Sequence, residues 1–241
     1  MDQPQTFASN RLPIYYVLGA PGAGKGTLCK MLAKEYRCIH LSVGDMLREQ
    51  LQYFENERLA GSDPAVPGAD KLSIDQFKSL MEKRQLLPAA AIVELVRRKI
   101  SSYGVATIIV DGFPRSLESA QLASKEIGTP SRVLFFDCRA DVARDRFLAR
   151  RRSEDDDGDA FDVRFEQFRD SNSEILTFFR EEVGVGHVVA ISTTGTTEES
   201  WKLLQDKVDG TLATREGGSG GLLLQEGGSG AESVVVEEEE E

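Results

Sequence analysis

A glycine-rich segment that ends in a lysine and a threonine, GAPGAGKGT at residues 19–27, is the strongest chemical signal in the chain. Residues 14–18 have the apolar pattern of a buried strand, and the residues after the segment keep one apolar face of a helix. A strand, a glycine-rich turn and a helix in this order are the setting that a phosphate-binding loop requires. Glycines let several backbone N–H groups point at one phosphate, and the start of the helix adds partial positive charge. Lys25 can therefore reach terminal phosphates, and Thr27 can hydrogen-bond a phosphate or lie near Mg²⁺.

The spacing of this segment departs from the general pattern in one respect. The residue after Lys25 is Gly26, and the hydroxyl of Thr27 comes one position later. A glycine-rich turn that binds nothing is the alternative interpretation, and the lysine, the spacing and the strand–helix setting together argue against it.

Two further segments, together with the glycine-rich one, carry a family resemblance. They are HLSVGDMLR at residues 40–48 and IVDGFPR at residues 109–115. In this order the three motifs resemble the nucleoside-monophosphate kinase family, which includes adenylate kinases and UMP/CMP kinases. Weaker matches are MEKRQLLP at residues 81–88 and the turn around Gly195, and the resemblance covers about residues 12–213.

The resemblance implies reversible transfer of the γ-phosphoryl group of Mg·ATP to a nucleoside monophosphate. It implies ATP contacts at Gly22, Ala23, Gly24, Lys25, Gly26, Thr27 and Gly195. It implies contacts to the monophosphate at Ser42, Val43, Arg48, Leu86, Leu87, Gly112, Phe113, Arg115, Ser119 and Gln121. The implied catalytic residues are Lys25, Asp111, Arg115, Arg150, Arg152 and Arg164, and Mg²⁺ is expected at Thr27 and Asp111, through water.

The residue types suit these roles. Phosphoryl transfer depends on charge stabilisation and in-line alignment, and the forked guanidinium groups of Arg48 and Arg115 can clamp a phosphate. Asp111 ends a buried strand, where a carboxylate without a partner is costly. The alternatives are surface charges for the arginines and a loop cap for Asp111. Asp45 precedes a helix, and an N-cap role there is as well supported as a catalytic one.

An arginine-rich stretch marks a short lid at about residues 150–163. Arg150, Arg151 and Arg152 precede the acidic residues 154–157, and Arg164 follows on the next helix. Arg150 and Arg164 match family arginines by position, whereas the crowding of Arg151 and Arg152 predicts that only one of them is functional. A solvated charged helix is the alternative for Arg151.

Two positions bear on the base that the acceptor carries. Ser119 stands where family members usually have Gln or Asn to read the base, and Val43 replaces a Thr common in adenylate kinases. Both changes favour UMP or CMP as the acceptor. Gln121 could substitute for Ser119, and Gln85–Leu87 is close to the adenylate-kinase form of its segment, so AMP stays an alternative. A regulatory protein that binds nucleotides without catalysis is the alternative from another class.

These residues require an α/β fold to position them, because strand patterns at 14–18, 38–41, 105–110, 132–137 and 185–191 alternate with helix patterns along the chain. Pro88 suits the first position of one of the helices, and no helix is assigned between the strands at 105–110 and 132–137. The expected architecture is a P-loop NTPase with a three-layer parallel sheet. We assign residues 1–11 to a flexible N-terminus, 12–214 to the kinase domain with a monophosphate-binding insert at about 42–103, and 215–241 to a disordered tail. That tail holds GGSG twice and eight glutamates against one arginine.

The composition of the chain excludes several classes of protein. The formal charge of −11 argues against a general nucleic-acid binder, and no apolar run approaches the ~20 residues of a membrane span. Three widely spaced cysteines exclude a disulfide framework or a cysteine-based zinc site as the main organiser of the fold, and the N-terminus has no apolar signal core. We therefore expect a cytoplasmic protein, with the nucleus possible, that acts as a monomer on ATP and a nucleoside monophosphate and binds neither nucleic acid nor a membrane.

Overall fold

A computed structural model describes residues 13–68, 72–104, 106–150 and 157–212. Its centre is a five-stranded sheet with β1 at Ile14–Gly19, β2 at Ile39–Ser42, β3 at Ile108–Asp111, β4 at Arg132–Asp137 and β5 at Val188–Ser192. All neighbouring strands are parallel, in the order β2-β3-β1-β4-β5. The predicted parallel α/β fold is confirmed. The expectations for residues 1–11, Arg151, Arg152 and the tail at 215–241 lie outside the described residues.

Eight helices of the described chain cover the two faces of the sheet. They are α1 at Lys25–Glu35, α2 at Val43–Leu59, α3 at Ile74–Glu82, α4 at Ala89–Ser102, α5 at Leu117–Glu126, α6 at Ala140–Arg150, α7 at Gly158–Val183 and α8 at Thr197–Leu212. One apolar cluster joins one face of the sheet to α2–α5 and α7, and a second joins the other face to α1, α6, α8 and the start of α7. Both sheet faces are therefore buried, which explains the nearly continuous apolar strands.

The region between β2 and β3 is built from α2, α3 and α4. Phe54 of α2 and Phe77 of α3 pack edge to face with ring centroids 5.6 Å apart, and both are almost fully buried. Helix α3 begins with a capping box between Ser73 and Gln76. This insert thus has its own apolar contacts while remaining continuous with the core beneath it.

The structure differs from the sequence assignment at three elements. The sequence analysis assigned no helix between β3 and β4, yet α5 occupies Leu117–Glu126, with a capping box of two serines and small buried alanines that give a weak periodic signal. Strand β5 begins at Val188, because a 3₁₀ turn takes Val185–His187. Pro88 is the N-cap of α4 and not its first residue.

No helix of the described chain combines the length and apolar character needed to cross a membrane.

Candidate active site

The glycine-rich loop lies between β1 and α1, and its glycines are required by its geometry. Gly22 has φ of +80°, and a Cβ added there would come 1.9 Å from the carbonyl oxygen of Ala143 in α6. Gly24 also has a left-handed φ, of +81°, as the N-cap of α1. The loop therefore presses against α6 so closely that a side chain at Gly22 would displace that helix.

Lys25 folds back over this loop. Its Nζ donates hydrogen bonds to the carbonyl oxygens of Gly19 and Ala20, both at 2.7 Å. Burial lowers the pKa of Lys25 to about 8, the negative charge of Asp111 opposes this shift, and Arg115 and Arg150 add to it. The ammonium is thus placed within the fields of three residues that the sequence analysis assigned to the same site.

Asp111 stands at the carboxyl end of β3, beside Ser42 on β2 and Val17 on β1 in the strand register. Its Oδ2 lies 3.3 Å from Nε2 of His40, and the carboxylate is almost buried. The sequence analysis gave His40 no role. His40 lies two residues before Ser42 and therefore on the same face of β2, and Ser42 pairs with Asp111 of the next strand; this alternation is the signal that could have identified the contact.

Arg115 follows the turn at Gly112, whose φ is +79°. Its Nε donates to the carbonyl oxygen of Gly112 at 2.9 Å. Desolvation by the surrounding protein lowers the pKa of this arginine. The negative charge of Asp111 opposes that shift, and the positive charges of Arg164 and Arg48 add to it. An arginine stays protonated in spite of such a shift, so the result is a concentration of positive charge around one carboxylate.

The turn that carries Arg115 is anchored in the core. Phe113 is almost fully buried, and its ring meets that of Tyr16 edge to face at 5.5 Å. Such pairs add to the stabilisation from burial alone. Phe113 therefore fixes the main chain between Asp111 and Arg115, and its side chain lies in the core of the protein.

Arg150 and Arg164 come from two helices and meet at one aromatic ring. The guanidinium carbon of Arg150 lies 4.2 Å from the centroid of Phe147, and that of Arg164 lies 5.5 Å from it. Phe147 is fully buried, so it offers a rigid platform between α6 and α7. The structure thus gathers six of the predicted side chains in one region: Lys25, Arg48, Asp111, Arg115, Arg150 and Arg164.

The turn around Gly195 is held by Arg146, which is not among the site residues predicted from the sequence. Arg146 donates hydrogen bonds to the carbonyl oxygens of Thr193 at 2.5 Å and Thr194 at 3.4 Å, and a further one to that of Gly195. It therefore ties this turn to α6, the same helix that carries Arg150. Its place four residues before Arg150, one helical turn away, is the sequence signal for this role.

Five of the residues assigned to the monophosphate lie in the first turns of α2 or in the turn before α4. Ser42 is the N-cap of α2 and accepts a hydrogen bond from the backbone N–H of Asp45, while Val43 is buried. Arg48 pairs with Asp45 one turn earlier. Leu86 is exposed, and Leu87 packs against the apolar cluster that includes α2–α5.

Ser119 and Gln121 occupy different environments on α5. The hydroxyl of Ser119 is buried, donates to the carbonyl oxygen of Ser116 at 2.8 Å and accepts from its backbone N–H at 3.2 Å. Gln121 lies in a groove between α5 and α7, with Glu174 and Phe178 across it. Ser119 thus completes the cap of its own helix, and Gln121 points toward α7.

Comparison with known proteins agrees with this geometry. A model of the AAA domain family matches residues 18–164. The uridylate kinase of Saccharomyces cerevisiae is 29% identical over 212 residues, which cover 86% of this chain and 95% of that protein. UMP-CMP kinase 2 of Oryza sativa subsp. japonica is 31% identical over 77% of this chain and 70% of its own length. Adenylate kinase isoenzyme 1 of Caenorhabditis elegans is 27% identical over 82% and 88%, respectively.

Proposed function

Because this chain belongs to the nucleoside-monophosphate kinase family, we propose that it transfers the γ-phosphoryl group of Mg·ATP to UMP or CMP in preference to AMP. It is a phosphotransferase whose acceptor is a phosphate group. The products of the proposed reaction are ADP and a nucleoside diphosphate.

The observation that carries the preference is the environment of Ser119. Its hydroxyl closes the capping box of α5 with Ser116, four residues beyond Arg115. An amide side chain at this point could hydrogen-bond the edge of adenine, whereas the short serine is already engaged with its own helix. A site that leaves a polar edge of the base without a partner loses binding energy, about 1–3 kcal/mol for each buried group.

Val43 supports the same preference from the other side of the site. It is buried at the first position of α2, next to the cap residue Ser42, and offers no hydrogen-bonding atom. A pyrimidine ring is smaller than the purine ring of adenine. The pair of an apolar Val43 and an engaged Ser119 therefore favours the smaller base.

The positive charges around Asp111 suit the transfer itself. An oxygen of the acceptor phosphate attacks the γ-phosphorus, and the bond from that phosphorus to the oxygen bridging to ADP breaks. Lys25 stabilises charge on the transferring group, while Arg48 and Arg115 hold the acceptor phosphate. Arg150 and Arg164 converge on Phe147 so that both guanidinium groups are positioned before substrate arrives.

The residues proposed to hold Mg²⁺ fit that ion by their chemistry. The carboxylate of Asp111 and the hydroxyl of Thr27 are hard oxygen ligands, and Mg²⁺ commonly keeps several waters between itself and such groups. When bound with ATP, the ion would neutralise part of the charge of the phosphates. Asp111 is kept in place for this by its hydrogen bond to His40.

The test is the ratio of kcat/KM for CMP or UMP to that for AMP, measured with ATP as donor in a coupled assay for ADP. A ratio well above one supports the proposal, and a ratio below one makes adenylate kinase the correct activity. Ser119→Gln should lower the ratio by roughly two- to tenfold, for one hydrogen bond gained by adenine. Glu118→Gln, an exposed neighbour in the same helical turn, is the matched control and should leave the ratio unchanged.

Two alternatives remain as outcomes of this assay. The adenylate kinase relatives and the Gln85–Leu87 segment favour AMP as the acceptor. The ratio of the kcat/KM values distinguishes this alternative from a preference for CMP or UMP. A regulatory protein that binds nucleotides without catalysis predicts nucleotide binding by calorimetry and no ADP formation with any acceptor.

A further inference from the structure

Three side chains of the kinds that coordinate zinc meet beside the glycine-rich loop. Cys29 belongs to α1, His40 to β2 and Asp111 to the end of β3. Each offers one ligand atom, Sγ, a ring nitrogen and a carboxylate oxygen, and these atoms all lie within 4.8 Å of one another. In the phosphoryl transfer proposed above, Asp111 acts directly and His40 only holds it in place, whereas Cys29 has no role.

The separations are close to those around a tetrahedral zinc ion. Zinc bonds of about 2.0–2.2 Å to nitrogen and oxygen at a tetrahedral angle hold the two atoms about 3.3–3.5 Å apart. Nε2 of His40 and Oδ2 of Asp111 are 3.3 Å apart. With a zinc–sulfur bond of about 2.3 Å, the sulfur would lie about 3.6 Å from each of the other ligand atoms. Since it lies within 4.8 Å of both, a movement of about 1.2 Å or less brings it to that distance.

The charges also balance. When the bond between zinc and sulfur forms, the thiol of Cys29 releases its proton to solvent, and the thiolate and the Asp111 carboxylate together neutralise Zn²⁺. Neutrality matters because Cys29 and Asp111 are buried and His40 is partly buried. The ammonium of Lys25 lies close enough to interact with both Cys29 and Asp111, so its positive charge opposes the binding of the metal.

We propose that Cys29, His40 and Asp111 form a zinc-binding site that inhibits the enzyme. Three protein ligands leave a fourth position for water or a phosphate oxygen. Zinc bound in this way would hold the Asp111 carboxylate away from Mg·ATP and place a second cation against Lys25. The inhibition rests on the role proposed above for Asp111, whereas the binding of zinc does not.

Calorimetric titration of the full chain with Zn²⁺ tests the binding. We expect one ion per chain with an affinity that falls about tenfold or more in Cys29→Ser and in His40→Gln, since each removes one ligand. Cys138→Ser is the matched control, because Cys138 lies at the end of β4 against Thr193 and should not alter the affinity. Repeating the titration in buffers with different ionisation enthalpies should show the proton released from Cys29.

Cobalt substitution gives a second readout that needs no variant. Co²⁺ bound to the wild-type chain should show the near-ultraviolet charge-transfer band of a cobalt–thiolate bond, and Cys29→Ser should lose it. Zinc that binds wild type and Cys29→Ser equally, or cobalt that binds wild type without this band, would overturn the site. Zinc that binds as expected but leaves the rate of ADP formation unchanged would overturn the inhibition alone.

Discussion

The pH at which Lys25 loses its charge provides a direct probe of its role. In the structure without substrate, burial lowers the pKa of Lys25 from 10.5 to about 8, with Asp111 opposing and Arg115 and Arg150 assisting the shift. A group with this pKa is an ammonium at neutral pH and becomes a neutral amine as the pH rises above about 8. If the ammonium binds the phosphates of ATP, binding must weaken over the same interval.

The size of the effect follows from the titration. At a pH equal to the pKa, half of the enzyme carries the ammonium, and one pH unit higher about a tenth does, so kcat/KM for ATP should be about tenfold lower there than at neutral pH. Once ATP is bound, its phosphates raise the pKa of Lys25, because nearby negative charge favours the protonated form. The value of kcat should therefore stay nearly constant while kcat/KM falls.

The assay is initial-rate kinetics from pH 6.5 to 9.5 with ATP varied and CMP saturating. Lys25→Arg is the informative variant, because a guanidinium stays charged throughout this range. Its rate should be lower at every pH, since the side chain is bulkier than the loop accommodates, but the fall in kcat/KM near pH 8 should disappear. Wild-type kcat/KM that is constant to pH 9.5, or a fall that persists in Lys25→Arg, would refute the assignment of this ionisation to Lys25.

Three further predictions concern the supports of the site. Gly22→Ala should lower the melting temperature and kcat together, because the left-handed φ and the 1.9 Å approach to Ala143 force α6 to move, at a cost of about 1–3 kcal/mol; an unchanged melting temperature would contradict this contact. Arg146→Lys should raise the KM for ATP roughly tenfold and leave the KM for CMP unchanged, because lysine cannot bridge the carbonyl oxygens of residues 193–195. Phe147→Leu keeps an apolar core but removes the ring that positions Arg150 and Arg164, so kcat should fall by more than the modest loss of stability explains. A folded Phe147→Leu protein whose kcat equals that of the wild type would show that this ring does not position the arginines.

The sequence was most informative where one local pattern determines one local structure. The apolar strands and the glycine-rich loop were located correctly, because continuous burial and the need for left-handed φ leave clear residue patterns. Helix α5 was missed, since a serine capping box and small alanines give little amphipathic contrast. The start of β5 was placed too early because Val185 looks strand-like although it lies in a 3₁₀ turn.

Contacts between distant segments were the part that the sequence could not supply. The pairing of His40 with Asp111 depends on the alignment of β2 with β3, and the hydrogen bonds from Arg146 to residues 193–195 depend on how α6 packs beside the end of β5. The engagement of Ser119 with Ser116 is local, but it required the start of α5 to be known. Each of these contacts involves a residue of a type that is also common at an ordinary surface or strand edge, so the residue type alone does not predict the contact.

We propose that the charged side chains gathered around Asp111 promote phosphoryl transfer, and that Lys25 stabilises the charge on the transferring phosphate. The most direct measurement is the rate at which ATP labelled in the γ-position yields labelled CDP from CMP, in wild type and in Lys25→Met. The methionine has a similar length and no charge, so the account predicts a folded protein whose rate is lower by roughly 100-fold or more, as for the loss of a positioned electrostatic donor. A folded Lys25→Met protein that forms CDP within a few-fold of the wild-type rate would contradict the account.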